Sequence, residues 1–301
     1  MFAQQLINGL TIGCVYALIA VGYSMVYGIL RIVNFAHGDI FMMGAFFGLI
    51  LTQAMGVSVL ITFPLACLCT AVLGMAIERF AYRPIWGGGN TSRMAALICA
   101  MGVSIMLQNL AQLIFGTETH PFSGTDIQLV TYNFGSVTVT NLQFIMLGLT
   151  VALMVALLLL VYKTKFGVAM RATSNNLNTA RLLGINTNLI ISVTFAIGSI
   201  LACASGLMVG VYFDAVFPTM GYSYGIKAFA AAVLGGIGSL PGAMVGGLTI
   251  GLIESLGAAY ISSGYRNAFA FGIMIIVLIF RPGGIFGKAT REKVYEVPHD
   301  R

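Results

Sequence analysis

Charge is what this sequence is short of. Only 8% of its 301 residues are charged, against 58% that are apolar, and its mean hydropathy is +0.95. A soluble domain carries about 25% charged residues to cover its surface, so a water-soluble fold is excluded. Cysteine pairing is also lacking. The five cysteines (Cys14, Cys67, Cys69, Cys99 and Cys203) all lie inside apolar runs with no C-x-x-C spacing. They read as small core residues, and no metal site is expected. There is no G-x-x-x-x-G-K-[ST] loop, so no ATP binding is expected by that route and no cofactor is assigned to this chain. No basic residue precedes the first apolar run, so "MFAQQLING" does not read as a secretory signal peptide.

Long unbroken apolar runs such as "LGLTVALMVALLLLVY" (147–162) are abundant. A bilayer core takes ~20 apolar residues per helix. Only helices and closed barrels satisfy their backbone hydrogen bonds in lipid, and barrel strands would be short and alternating. The sequence therefore predicts an all-α, polytopic membrane protein, a single domain over 1–301. Spans are expected at 7–29, 36–56, 58–79, 94–115, 141–162, 188–211, 241–261 and 267–281. A shorter apolar piece at 225–238 crosses or only dips, which gives eight or nine transmembrane segments.

The net charge of +6 invites a nucleic-acid partner, but the basic residues lie between hydrophobic runs, as topology signals do. All but two are in loops 79–93 and 163–187, in the tail 282–301 together with Arg281 just before it, or at Arg31. That side is assigned to the cytoplasm, with the C-terminus there. The 116–140 segment has Glu118, His120 and Asp126 but no Lys or Arg and is assigned outside.

Small residues repeat at four-residue spacing: Gly198, Ala202, Gly206 and Gly210; Gly242 and Gly246; Gly247 and Gly251. Such ladders permit close helix approach in lipid, either within one bundle or at a subunit contact or hinge. "YGILRIVNFAHGDIFMMGAF" (27–46) and "AVLGGIGSLPGAMVGG" (232–247) each break an apolar run with a Gly-containing turn. Paired breaks of this kind hint at an internal duplication.

Polar residues inside this oily chain are the candidate sites. In "RIVNFAHGDIFMMGAF" (31–46), Asn34 is placed to cap a helix starting near Phe35, with Asp39 near its positive end. His37 and Asp39 then lie ~200° apart and cannot form a catalytic pair. The cluster is either a helix start at the cytoplasmic side, anchored by Arg31, or a polar element of a translocation path or gate. Glu254, inside "GGLTIGLIESLGAAY", either pairs with a neighbouring helix or serves the pathway. Gln108 and Asn109 raise the same question less sharply. "GYSYG" (221–225) fits G-x-S-x-G, but Ser223 is expected in an external connection and the only downstream histidine is His299. Hydrolase chemistry is not supported, and no catalytic residue is assigned.

The loop "KTKFGVAMRATSNNLNTARLLGIN" (163–186) is too polar for lipid and patterned like a helix. Asn175 or Asn176 can cap it and Gly184 can end it. Leu177, Ala180 and Leu183 then approximate one stripe, with Arg181 close by, which suits docking into a groove on a cytosolic partner. A plain solvated connector is the other option.

"RATSNNLNTARLLGIN" resembles the cytoplasmic coupling segment of bacterial branched-chain amino acid ABC importer permeases. "YALIAVGYSMVYGILRIVNFAHGDIFMMGAF" (16–46) and "AFAAAVLGGIGSLPGAMVGG" (228–247) are similar to the first and last thirds of the same family. The resemblance implies an inner-membrane machine of two related permeases, two cytosolic ATPases carrying ATP and Mg, and a periplasmic binding protein that delivers leucine, isoleucine or valine. It places Arg171 to Gly184 (Arg171, Asn176, Leu177, Ala180, Arg181, Leu183, Gly184) in the ATPase groove. The family also holds urea and short-chain amide permeases. A stand-alone transporter using Glu254 or Asp39 as an ion site is the rival from another class, and the docking loop counts against it. An intramembrane enzyme lacks any His–Asp, His–Glu or Ser–His constellation in the spans.

Overall fold

The computed structural model describes residues 1–86, 93–122, 130–135 and 137–287. It is a bundle of helices: α1 (Phe2–Leu30), α2 (His37–Met55), α3 (Val59–Ile77), the short α4 (Arg83–Trp86), α5 (Arg93–Phe115), α6 (Asn141–Lys163), α7 (Lys165–Asn175), α8 (Leu177–Leu182), α9 (Thr187–Phe213), α10 (Met220–Gly235), α11 (Leu240–Tyr260) and α12 (Arg266–Phe280). Among the described residues, eight helices are long and apolar enough to cross a membrane. One antiparallel hairpin, β1 (Thr131–Phe134) and β2 (Val137–Thr140), interrupts the all-α expectation inside 116–140. Gln4 ties it to α1, donating to the Thr138 carbonyl at 2.9 Å and accepting from the Thr138 amide at 2.8 Å.

Helix ends follow local chemistry. Thr140 and Gln143 form a capping box for α6. Ser239 caps α11, whose first turn holds a proline, a position where the missing N–H costs nothing. Asp214 ends α9 in the left-handed region (φ 48), and its carboxylate accepts the Phe122 amide at 2.8 Å.

Lipid tails are as apolar as leucine, so packing between helices comes from close van der Waals approach rather than from water exclusion. α1 is the central post, with 83% of its most apolar stretch buried, against 6% for the final span. A Cβ on Gly13 would stand 2.9 Å from Leu248 Cα, and one on Gly9 would stand 2.9 Å from Leu252 Cα. Both sequence ladders of α11 pack inside the chain: Gly247 and Gly251 meet Ala17 and Gly13 of α1, while Gly242 and Gly246 meet Gly235 and Ala231 of α10. On α9, Gly198 faces Gly22 and His37, Gly206 faces Phe41 of α2, and Gly210 faces Phe122 and Val216. Ala202, fully buried, completes that edge.

The interruption at 31–36 differs from the expected cytoplasmic helix start. Arg31 ends α1 in the left-handed region (φ 56), and the chain then turns back into the bundle. α2 starts only where the His37 ring meets Gly22 and Gly198, roughly 16 Å along α9 from its first residue. Ala36, not Asn34, is its N-cap. Asn34 instead accepts the Tyr82 hydroxyl at 2.5 Å.

A second half-depth start follows α9. The chain doubles back so that Val216 packs on Gly210, and α10 begins with Gly221 and Gly225 against Gly38 of α2. α10 ends where Ile285 and Phe286 donate to the carbonyls of Leu234 and Gly235. The 225–238 piece is thus the lower part of a half-depth helix that finishes the passage begun by 214–219. Ser223 lies on this helix, not in an external connection. Counting α10, the described residues pass nine times, and Phe2 and Gly287 lie at opposite ends.

The two Gly-containing breaks are unlike. One is the returning segment 31–36, and the other is a tight turn with Gly236 and Gly238 at φ 100 and 91. The 79–93 loop is also shorter than expected, because α3 runs on through a π-helical turn, Glu78–Tyr82, into α4. The tail residues Lys288, Arg291, Lys293, His299 and Arg301, and Asp126 of the 116–140 segment, lie outside the described residues.

Replacing Gly251 with Leu pushes a side chain into the Gly13 backbone and is expected to cost about 1–3 kcal/mol or more. It should lower the temperature at which the detergent-solubilised chain loses its monodisperse chromatographic peak. Gly148→Leu, where a Cβ meets nothing within 4 Å, should leave that temperature unchanged.

Candidate functional site

Three polar constellations stand out in the apolar bundle, and α10 borders two of them. The first is built where α2 and α10 begin. Asp39, in the first turn of α2, is 1% exposed. Ser104 donates to its Oδ2 at 2.5 Å, and Gln108 to its Oδ1 at 3.0 Å, both from α5. The first turn of α10 packs on the same carboxylate: a Cβ on Gly221 would stand 2.7 Å from Asp39 Oδ1. Two helix N-termini therefore bear on one anion. A cavity of about 450 Å³ opens beside it, lined by Tyr23, Phe35, Met101, Ile105, Tyr222 and Ile226 among others. His37 points the other way, edge-on to Tyr23 with ring centroids 4.9 Å apart. His37 and Asp39 do not meet. Asn109 bonds back to the Ile105 carbonyl and takes no part.

The second constellation surrounds Glu254. Lys227 Nζ donates to Oε1 at 2.8 Å, and the Tyr16 hydroxyl to Oε2 at 2.8 Å. This acid thus joins α11 to α1 and α10, and it borders a cavity of about 330 Å³ that Arg266 also lines. Lys227 and Arg266 are the two cations that the loop pattern leaves unassigned. A lone lysine within "GIKAFAAAVLGG" was the available signal for a buried partner, since a carboxylate this deep needs one. Nothing in the spacing said which acid it would meet.

The third lies near the first residues of α9. Glu78, 3% exposed, accepts from Arg83 Nε at 3.1 Å and from Ser192 Oγ at 2.6 Å. The π-helical turn brings Glu78 and Arg83 together, and that turn has no simple sequence signature.

The 163–187 segment is ordered as two helices rather than one. Asn176 caps α8 by accepting from the amides of Asn178 and Thr179 at 3.0 Å, and Gly184 follows its end at φ 80. The expected outward stripe is divided. Ala180 is 1% exposed, and Leu177 packs against the core. Leu182 and Leu183 project outward, 87% and 73% exposed. Arg171 sits on α7, donates to the Val161 carbonyl and covers the Tyr162 ring, and so braces α6. Arg181 donates to Thr187 Oγ1 at 2.9 Å, fixing α8 to the start of α9. Among the described residues, no group of three His, Cys, Asp or Glu is placed to hold a metal.

With this geometry in place, comparison with known proteins is direct. The family described as "Branched-chain amino acid transport system / permease component" matches residues 5–278. The chain belongs to this family. Its permease relatives include BraD of Pseudomonas aeruginosa, a high-affinity branched-chain amino acid transport system permease protein, 42% identical over 97% of this chain and 98% of the relative. LivH of Escherichia coli, named in the same terms, is 41% identical over 97% and 98%. The autoinducer 2 import permease LsrC of Yersinia enterocolitica is 33% identical over 44% of this chain. Among solved structures, PsaBC from Streptococcus pneumoniae in complex with Fab covers 93% of this chain and 92% of its own at a TM-score of 0.50 with 15% identity, a likeness of fold alone. The helical bundle of this permease-family chain thus has a counterpart among solved structures.

Removing Glu254 (Glu254→Leu) strands Lys227, which is 14% exposed, as an unpaired buried charge and is expected to cost roughly 3 kcal/mol. The double substitution Lys227→Met/Glu254→Leu should recover much of that loss. Thermal unfolding of the purified chain, run as a double-mutant cycle, reads both.

Proposed function

We propose that this chain is one permease subunit of an ATP-driven importer of branched-chain amino acids. It forms half of the translocation pathway beside a second permease, with two cytosolic ATPases below and a binding protein delivering cargo from outside. Membership of the permease family and the names of its full-length relatives support the cargo class.

One observation carries the mechanical part. At the end of the bundle where α6 stops and α9 starts, α7 and α8 form a braced unit whose outermost apolar side chains are Leu182 and Leu183. Two exposed leucines at the tip of a capped helix suit insertion into an apolar groove. Asn176 holds the helix start, and Arg181 and Arg171 tie the unit to the spans behind it. Displacement of α8 by a partner is therefore passed to α9 and α6. That end, where residues 281–287 also lie, is the cytoplasmic one on the distribution of Lys and Arg. ATP hydrolysis belongs to the partners, and transport across the bundle belongs to this chain.

Gentle solubilisation of a C-terminally tagged chain should yield a second polytopic protein and two ATPase copies. The reconstituted assembly, with its binding protein, should take up leucine, isoleucine or valine only with ATP. Leu183→Asp should reduce that uptake at least ~10-fold, because a buried unpaired carboxylate replaces an apolar anchor, while the amount of chain in the membrane stays unchanged. Ion-gradient-driven uptake by the chain alone, without ATP, would overturn the proposal.

A further inference from the structure

The polar constellations differ in how their acids are neutralised. Glu78 and Glu254 each have a basic partner, Arg83 and Lys227. Asp39 has none among the described residues, although it is almost fully enclosed and lies near mid-depth. Its hydrogen-bond donors are the uncharged Ser104 and Gln108. A carboxylate held in the interior of a membrane protein without a counter-cation is costly, and such acids mark paths for charged cargo. Hydrogen bonds and helix N-termini offset only part of that cost.

The surroundings narrow the ligand class. The cavity of about 450 Å³ lies within the ~300–1,000 Å³ range of small-ligand sites. Its lining is mainly apolar, with Phe35, Met101, Ile105 and Ile226 around the single charged residue, Asp39. The lining suits one positive group on a branched or straight hydrocarbon, and a carboxylate on the same molecule is left to the open side, away from Asp39. The cavity beside Glu254 has the opposite character, because Lys227 and Arg266 outnumber its one acid.

We propose that Asp39 receives the ammonium group of the transported amino acid as it passes this cavity, with the cargo's side chain against Phe35, Met101, Ile105 and Ile226. This rests on the importer function proposed above and names the chemistry by which the pathway holds its cargo. Breaks before α2 and before α10 bring two half-depth helix starts to this point, and discontinuous helices at mid-depth are where transporters place their sites. The positive ends here are taken up by the Asp39 carboxylate, which leaves that carboxylate to receive the cargo's cation. The cavity is open along Met101, Ile105 and Tyr222, which are 53%, 59% and 64% exposed. That open side is the face which the second permease proposed above would border, so the cavity lies between the two subunits rather than sealed within one.

The test uses the full reconstituted assembly with Met101→Cys as a reporter thiol, its labelling rate corrected for the chain's own five cysteines. Leucine and 3-methylbutylamine should both slow labelling, while 4-methylpentanoate, which keeps the carboxylate and lacks the ammonium, should not. Asp39→Asn should raise the amine concentration needed for half-protection at least ~10-fold, the size expected for one charge-assisted hydrogen bond. The Asn side chain retains an acceptor for Ser104, and Gln108 can rotate its amide to match. Should that variant not assemble, the ligand pattern in the Asp39 chain decides the matter unaided. Equal protection by 4-methylpentanoate, amine protection that survives Asp39→Asn, protection by sodium ions in place of the amine, or no protection while leucine import continues would each overturn the site. ATP-driven leucine uptake by the reporter-free assembly is measured in parallel. Failure of that uptake counts against the importer function, and the labelling pattern judges Asp39 separately.

Discussion

The whole arrangement rests on backbone meeting backbone along α1. Lipid supplies no hydrophobic force between helices, so the bundle needs surfaces that approach closely over many residues. α1 and α11 meet through Gly9, Gly13, Gly247 and Gly251, and α10 joins the other edge of α11 through Gly235, Gly242 and Gly246. A helix gripped on both edges in this way leaves no room for side-chain adjustment. α9, packed on α1, α2 and α3, extends the same rigid block.

That block explains why the chain can hold polar groups at mid-depth. The segment 31–36 and the segment 214–219 leave helical geometry inside the bundle, which is tolerated only where protein surrounds the freed backbone. The two segments end in opposed helix starts that touch at Gly38, Gly221 and Gly225. With a side chain at any of these three positions, the starts would separate and the carboxylate of Asp39 would lose one of the two helix ends facing it. The acids then serve different ends. Glu254 is spent on joining three helices through Lys227 and Tyr16, whereas Asp39 retains an open cavity at its side.

The sequence displays the spans because lipid demands long apolar runs, and the ends of α8 because capping is local chemistry at Asn176 and Gly184. The ladders on α9 and α11 are visible for the same reason, since four-residue spacing is a property of one helix. What stays hidden depends on pairs distant in the chain. Nothing near Asn34 foretells the hydroxyl of Tyr82, and nothing near Asp39 foretells Ser104 and Gln108. Leu177 and Ala180 face inward, against the expected outward stripe, because a short helix with apolar residues on several sides does not declare which side is covered. The return of 31–36 into the bundle is likewise a tertiary outcome. The same letters would serve a surface turn, and only packing against Gly22 and Gly198 distinguishes the two.

α5 has a special place in this construction. It packs mainly on α2 and on the turn after α3, where the Cys99 thiol donates to the Ala81 carbonyl. Its outer face is open, and its side-chain attachment to α2 is the pair of hydrogen bonds from Ser104 and Gln108 to one carboxylate. The latch for this helix and the wall of the cavity are thus the same two oxygen atoms. Whatever draws on those oxygens weakens the hold on α5, and whatever shifts α5 alters their readiness to accept a new donor. Thermodynamic reciprocity makes the two effects equal in size. The position of one helix and the contents of the cavity are therefore read out by a single side chain.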